Sequence, residues 1–212
     1  MTPLRIAALL ATVLIVLCFF TGAVLCFRLY VIPSTSMEDT ILRGDRILVE
    51  KVTPLLGREP RFGDIVVHLY PLNPVEVYVK RIVGVPGDRL RIVNKQLYRN
   101  GAAVEEPYAK HVANYVDAYR DNFPSTPNMP LSPVAVEMLQ NNVQAGEVVI
   151  PQGKYFVLGD NRDYSSDSRY WGFISRSDIV GRPLMVYLSI GEDSKQSPPA
   201  ARVRWERFFK PL

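Results

Sequence analysis

Cysteine is almost missing from this chain. Of 212 residues only Cys18 and Cys26 are cysteines, both inside one apolar run, and nothing beyond residue 27 carries a thiol. A disulfide framework is therefore excluded for the polar part in any compartment. Histidine is as scarce: His68 and His111 stand alone and far apart. A zinc site would have to rest mostly on carboxylates, so neither a metal nor a cofactor is expected. The net charge of +4 comes without a basic run, a finger spacing or a recognition-helix pattern, which argues against nucleic acid as a partner. No internal repeat is visible, and no alternation of strands with helices of the kind that builds parallel sheets.

Charge is also absent from residues 6–27, IAALLATVLIVLCFFTGAVLCF. A helix of that length, at ~1.5 Å per residue, spans a hydrocarbon core of about 30 Å. The expectation is one uncleaved transmembrane helix after a short tail, residues 1–5. A removed signal peptide would have a shorter apolar core and a small-x-small site, for which Thr21, Gly22 and Ala23 are poor candidates. A buried helix is the third reading. Arg5 and Arg28 flank the run, so charge alone does not orient it.

The chain beyond residue 27 is rich in strand signals. DRILVEK (45–51), GDIVVHLY (63–70) and VEVYVKRIVG (75–84) read as strands, and RLRIV (89–93) with KQLYRN (95–100) as a hairpin turning near Asn94. Residues 101–146 break the pattern. FPSTPNMPLSP (123–133) holds four prolines, and VAVEMLQNN (134–142) reads as a short helix. Strands resume in VVIPQGKYFVLGDN (148–161) and ISRSDIVGRPLMVYLSI (174–190), and RVRWERFF (202–209) reads as a terminal strand or amphipathic end. The expected class is mainly β: an antiparallel catalytic core in two parts, 28–100 and 147–212, with an inserted lobe at 101–146, preceded by the anchor at 6–27.

Three stretches draw attention for chemistry. PSTSME (33–38) offers Ser34 and Ser36 just past the apolar run. Attack by serine needs a base. His68 lies in a strand, where a satisfied core position accounts for it, and His111 lies in the polar excursion. Lysine is the other option, once burial has lowered a pKa that is ordinarily about 10.4. There are seven lysines. Lys154 opens the apolar strand KYFVLG and is a decoy, whereas Lys80 stands among valines in VYVKRIVG, sharing a face with Tyr78 and Ile82 by alternation. A lysine on the wet face of a half-buried strand remains the alternative. The third stretch, GDNRDYSSDSRYWG (159–172), packs three aspartates, two arginines and three serines between glycines. Asp167 and Arg169 suit a bidentate ion pair, with a solvated, capped turn as the alternative.

Four blocks in order, PSTSMEDTI (33–41), GDRILVEK (44–51), RFGDIVVHLYP (61–71) with YVKRIVGVPGD (78–88), and the 159–172 block, resemble the type I signal peptidases, the membrane-anchored Ser/Lys proteases. The likeness covers most of 30–188 and is weak over 101–146. It implies Ser36 as nucleophile and Lys80 as general base. Ser34, with the Ser36 amide, would form the oxyanion hole. Ser165 would orient the lysine, and Asp160, Asp167 and Arg169 would form the supporting shell. Met37 would lie toward a membrane surface. The resemblance further implies a monomeric endopeptidase in a bacterial cytoplasmic (inner) membrane, single-pass, with its catalytic domain on the extracytoplasmic side. Its partners would be the lipid bilayer and secretory preproteins with small residues before the cleaved bond. Candidate subsite residues are RLYVIP (28–33) and Tyr78. A self-cleaving repressor-type Ser/Lys protease and an inactive scaffold of the same fold are the rivals. Two positions depart from the family: Thr35, commonly glycine or proline there, and Asp39, commonly proline. The second costs a fixed φ just past the nucleophile, so other contacts must hold the chain.

Overall fold

The computed structural model describes residues 5, 10, 12–14, 17, 22, 24–193 and 200–212. The strand signals become β1 (Phe27–Val31), β2 (Asp45–Glu50), β3 (Ile65–Tyr70), β4 (Asn73–Gly84), β5 (Arg89–Val93), β6 (Gln96–Arg99) and β7 (Ala102–Ala103). After the excursion come β8 (Val143–Gln144), β9 (Glu147–Val149), β10 (Lys154–Leu158), β11 (Ile174–Ser175), β12 (Ile179–Asp193), β13 (Ala200–Val203) and β14 (Lys210–Pro211). Helices among the described residues include α1 (Val52–Leu55), α2 (Pro133–Asn142) and α3 (Ser168–Trp171). The larger sheet runs β1-β2-β12-β3-β4-β10-β11, with β13 and β14 also on β12, and the smaller runs β7-β6-β5-β9-β8. Every pairing between these strands is antiparallel.

Local chemistry explains the elements. The β5–β6 hairpin pairs Val93 with Gln96. Its two turn residues, Asn94 and Lys95, both take positive φ (49° and 73°), the requirement of the tight turn whose twist matches its strands. The α2 helix begins where Ser132 Oγ accepts from Ala135 N–H, with proline at the first helical position, where its missing N–H costs nothing. β4 is exposed at its start and buried from Lys80 to Gly84, because it runs between β3 and β10 in the middle of the sheet. Val77 and Val79 pack with Ile32, Met37 and Ile41, and Ile82 with Val157 and Trp171. The excursion contributes Tyr119 and Phe123 to a core shared with Leu90, Phe156 and Leu158.

Among the described residues no helix is long and apolar enough to cross a membrane. This corrects the expected single-pass helix at 6–27 and the inner-membrane placement built on it. Much of that stretch lies outside the described residues. At its end Val24, Leu25 and Cys26 are helical, but Phe27 already opens β1 and pairs with Glu50. The described residues of 6–26 are all helical, but no helix among the described residues reaches the length a span needs, about 20 residues. Met37 is a second correction: it is buried against Ile32 and Ile41 rather than turned to a surface.

Candidate active site

Ser36 lies on the turn between β1 and β2, and Lys80 on β4. Both are buried, and Lys80 Nζ is 2.7 Å from Ser36 Oγ. Ser34 Oγ is 3.3 Å from the same Oγ. These groups line a cleft of about 370 Å³ together with Tyr30, Ile32, Val77 and Tyr78. Of the expected subsite stretch, Tyr30 to Pro33 lines the cleft and Arg28 and Leu29 do not.

Burial pushes the Lys80 amine down from 10.5 to about 8; the Asp167 charge works against that shift, and the Arg169 charge adds to it. The wet-face alternative for Lys80 therefore fails, since β4 is covered on both sides at that point. Lys154 does reach a serine, Ser175 Oγ at 2.9 Å, but it stays partly exposed and outside the cleft. Neither histidine competes. His68 is fully buried, its Nδ1 is 2.8 Å from the Leu69 carbonyl, and burial drops its pKa to about 4. His111 faces Asp163 at 3.5 Å.

The 159–172 block forms the frame beneath the two groups. Asp167 caps α3 and takes Nε and Nη2 of Arg169 at 2.8 Å each, with both side chains almost wholly buried. Burial would raise the Asp167 pKa, but the Arg169 charge and hydrogen bonds outweigh it and hold the carboxyl below its ordinary range. Asp160 accepts Arg81 Nε at 2.8 Å and Nη2 at 2.6 Å, and Thr40 Oγ1 at 2.6 Å. Asn161 reaches the Ser36 turn twice, N–H to the Ser36 carbonyl and Nδ2 to the Thr35 carbonyl, both at 3.1 Å. Gly159 packs so closely that a Cβ there would strike the Ser36 carbonyl oxygen and Ser165 Oγ. The Ser165 hydroxyl is buried beside Asp167 and helps lower its pKa. It makes no well-aligned hydrogen bond to Asp167 or to Lys80. Thr35 is exposed and takes no positive φ, so its turn does not need glycine.

Arg81, Thr40, Asn161 and the strip 106–110 escaped sequence reasoning. Arg81 left one usable signal: a guanidinium inside an apolar strand needs a buried counter-charge, and Asp160 supplies it. The strip is tied in by Glu106, bidentate to Arg162 (2.6 and 2.7 Å), and by Tyr108, whose ring lies 3.8 Å under the Arg81 guanidinium.

The protein-family description "Signal peptidase, peptidase S26" matches residues 5–188. Signal peptidase I of Aquifex aeolicus is 33% identical over 193 residues, covering 76% of this chain and 75% of that protein. Signal peptidase I U of Bacillus subtilis is 33% identical over 193 residues, covering 89% and 90%. A probable signal peptidase I-2 of Synechocystis is 37% identical over 156 residues, covering 71% of this chain and 58% of its own length. A match over nearly the whole chain, with the 33–41 and 159–172 blocks meeting in one cleft, leaves a single assignment: the chain belongs to the signal peptidase family, peptidase family S26.

Proposed function

We propose that Ser36 is the nucleophile and Lys80 the general base of a serine endopeptidase that removes signal peptides from exported preproteins. The observation that carries this reading is the 2.7 Å approach of Lys80 Nζ to Ser36 Oγ in a buried setting, which favours the neutral amine a base must be. Lys80 takes the hydroxyl proton as Ser36 Oγ bonds to the scissile carbonyl carbon. The Ser36 N–H and the Ser34 hydroxyl hold the developing oxyanion, a contribution of about 3 kcal/mol for one such donor. As the C–N bond breaks, Lys80 returns the proton to the leaving amine and Ser36 carries the acyl group. Water, deprotonated by the same lysine, then releases it. Asp167 with Arg169 and Asp160 with Arg81 keep the frame in place, and the Ser165 hydroxyl, buried beside Asp167, is available to orient the amine. Every group named comes from one chain, so a monomer suffices.

An extended peptide fits between residues 30–34 and the 77–80 segment of β4, presenting alternate side chains to the walls. Ile32, Met37, Ile41 and Val79 crowd that floor, which suits small residues before the bond. A preprotein with alanine at the position preceding the bond should be cut there, as product N-terminal sequencing will show. Changing that alanine to phenylalanine should lower kcat/KM by about 100-fold. Equal cleavage of both would refute the small-residue subsite.

The lowered pKa of Lys80 also sets a pH dependence. The neutral base is the working form, so kcat/KM should rise with pH through about 8 and level off above it. The unfolded chain holds this proton more tightly, with a value of 10.5 against about 8 when folded. Stability contributed by this group therefore rises with pH between those values. A profile that falls across pH 7–9 would remove Lys80 as the base.

A further inference from the structure

The nucleophile turn is held by the block 159–162 on one side, and the excursion supplies a second hold. Lys110 N–H donates to the Asp160 carbonyl at 2.7 Å, and its carbonyl accepts from Arg162 N–H at 3.0 Å. A parallel bridge thus pins its backbone beside Asn161, the residue that grips the Thr35 and Ser36 carbonyls. Glu106 on Arg162 and Tyr108 under Arg81 fix the same strip independently of the Lys110 side chain. From that platform Lys110 Nζ reaches Asp39 Oδ1 at 2.8 Å and Glu38 Oε2 at 3.7 Å. These are the residues immediately past Met37.

The geometry points to Lys110 as a positioning residue: its ammonium clamps Glu38 and Asp39 and thereby sets the Ser36 hydroxyl in line for attack, an inference that rests on the reading of Ser36 as nucleophile. The clamp acts on the turn and not on the substrate, so it bears on kcat and leaves KM alone. Its side chains are partly open to water, with Lys110 32% and Asp39 76% exposed. It therefore adds little to global stability and is screened by salt.

The test is a cycle of Lys110→Met, Asp39→Asn and the double variant, with Lys110→Arg as the conservative control and Ser36→Ala alongside, all assayed on the same preprotein. Lys110→Met is expected to lose about two- to fivefold in kcat at low salt, with KM and Tm unchanged. The double variant should lose no more than Lys110→Met, and Lys110→Arg should retain wild-type turnover. Raising ionic strength should bring wild-type kcat down toward the Lys110→Met value while Lys110→Met itself stays flat. Wild-type kcat in Lys110→Met, losses that multiply in the double variant, or equal salt sensitivity in both proteins would each overturn the clamp. If Lys110→Met melts without a cooperative transition, Asp39→Asn and the salt titration of the wild type decide. Retained cleavage in Ser36→Ala would instead sink the nucleophile assignment. A dead Ser36→Ala beside a wild-type Lys110→Met would sink only the clamp.

Discussion

Lys80→Ala and Ser36→Ala should each abolish preprotein cleavage, a loss of at least about 10⁴ in kcat, while the domain stays folded. The expected size comes from removing one member of a nucleophile–base unit whose parts act together. In Lys80→Ala the Ser36 hydroxyl keeps Ser34 as a neighbour but has no group to take its proton, because both histidines pair elsewhere. In Ser36→Ala the amine remains buried with its reaction partner gone. Lys80→Ala removes a buried aliphatic stem, a packing loss, and also spares the cost of burying the amine's charge. The two effects oppose each other, so the Tm of Lys80→Ala should stay near that of the parent at pH 7. Lys154→Ala is the control and should cleave normally. Full turnover in Lys80→Ala, or total loss in Lys154→Ala, would move the base to the other lysine.

The second large effect is on stability. Asp167→Ala should cost about 3–5 kcal/mol, because it leaves the Arg169 guanidinium buried without its counter-charge. Arg169 would keep only the Arg120 carbonyl at 3.2 Å and the Arg162 carbonyl at 2.8 Å, which cannot neutralise it. The α3 cap and the Gly159 N–H bond to Asp167 at 3.2 Å disappear with it. For a chain of this size Tm should fall by roughly 10 °C, read from thermal melts. The same pair gives an acid dependence. The folded Asp167 pKa lies below its ordinary value, so its stabilisation is present above the unfolded pKa and fades as pH falls through the folded one. A Tm within about 2 °C of the parent would show that the pair is dispensable.

Legibility in the sequence tracked the range of the interactions. β2, β3, β4 and the β5–β6 hairpin announced themselves through alternation and turn residues, which act between near neighbours. Lys80 stood out as a candidate because few bases exist and it sits among valines, but a surface lysine fitted the same spacing, and the roles proposed for Ser36 and Lys80 come from the resemblance to the signal peptidases. The ion pair of Asp167 and Arg169 was visible because its partners are two residues apart. β1 was hidden, because an apolar run that ends in a strand reads no differently from one that continues as a helix. Arg81 with Asp160, and the strip 106–110 against the Ser36 turn, were hidden for another reason. Their partners are far along the chain, and no local period records a charge that waits for a counter-charge 79 residues away. The proline-rich stretch drew attention to the excursion as an irregular lobe, and the residues that reach the active site lie just before it.

Those long reaches bear on when the protein becomes an enzyme. Ser36 and Lys80 are 44 residues apart, but the Asn161 bond that holds the turn closes 126 residues of chain. Loops of that length close late, since non-local contacts must recover their chain entropy before they form. A polypeptide emerging from its N-terminal end carries both reactive groups long before it carries residues 159–169, the frame beneath them. The frame beneath Ser36 and Lys80 therefore cannot form until residues 159–169 are in place, so the site is expected to become active only after that long-range closure. Appearance of turnover during refolding should coincide with formation of the contacts of residues 159–169 and not with the β3–β4 pairing, which needs no residue beyond 84.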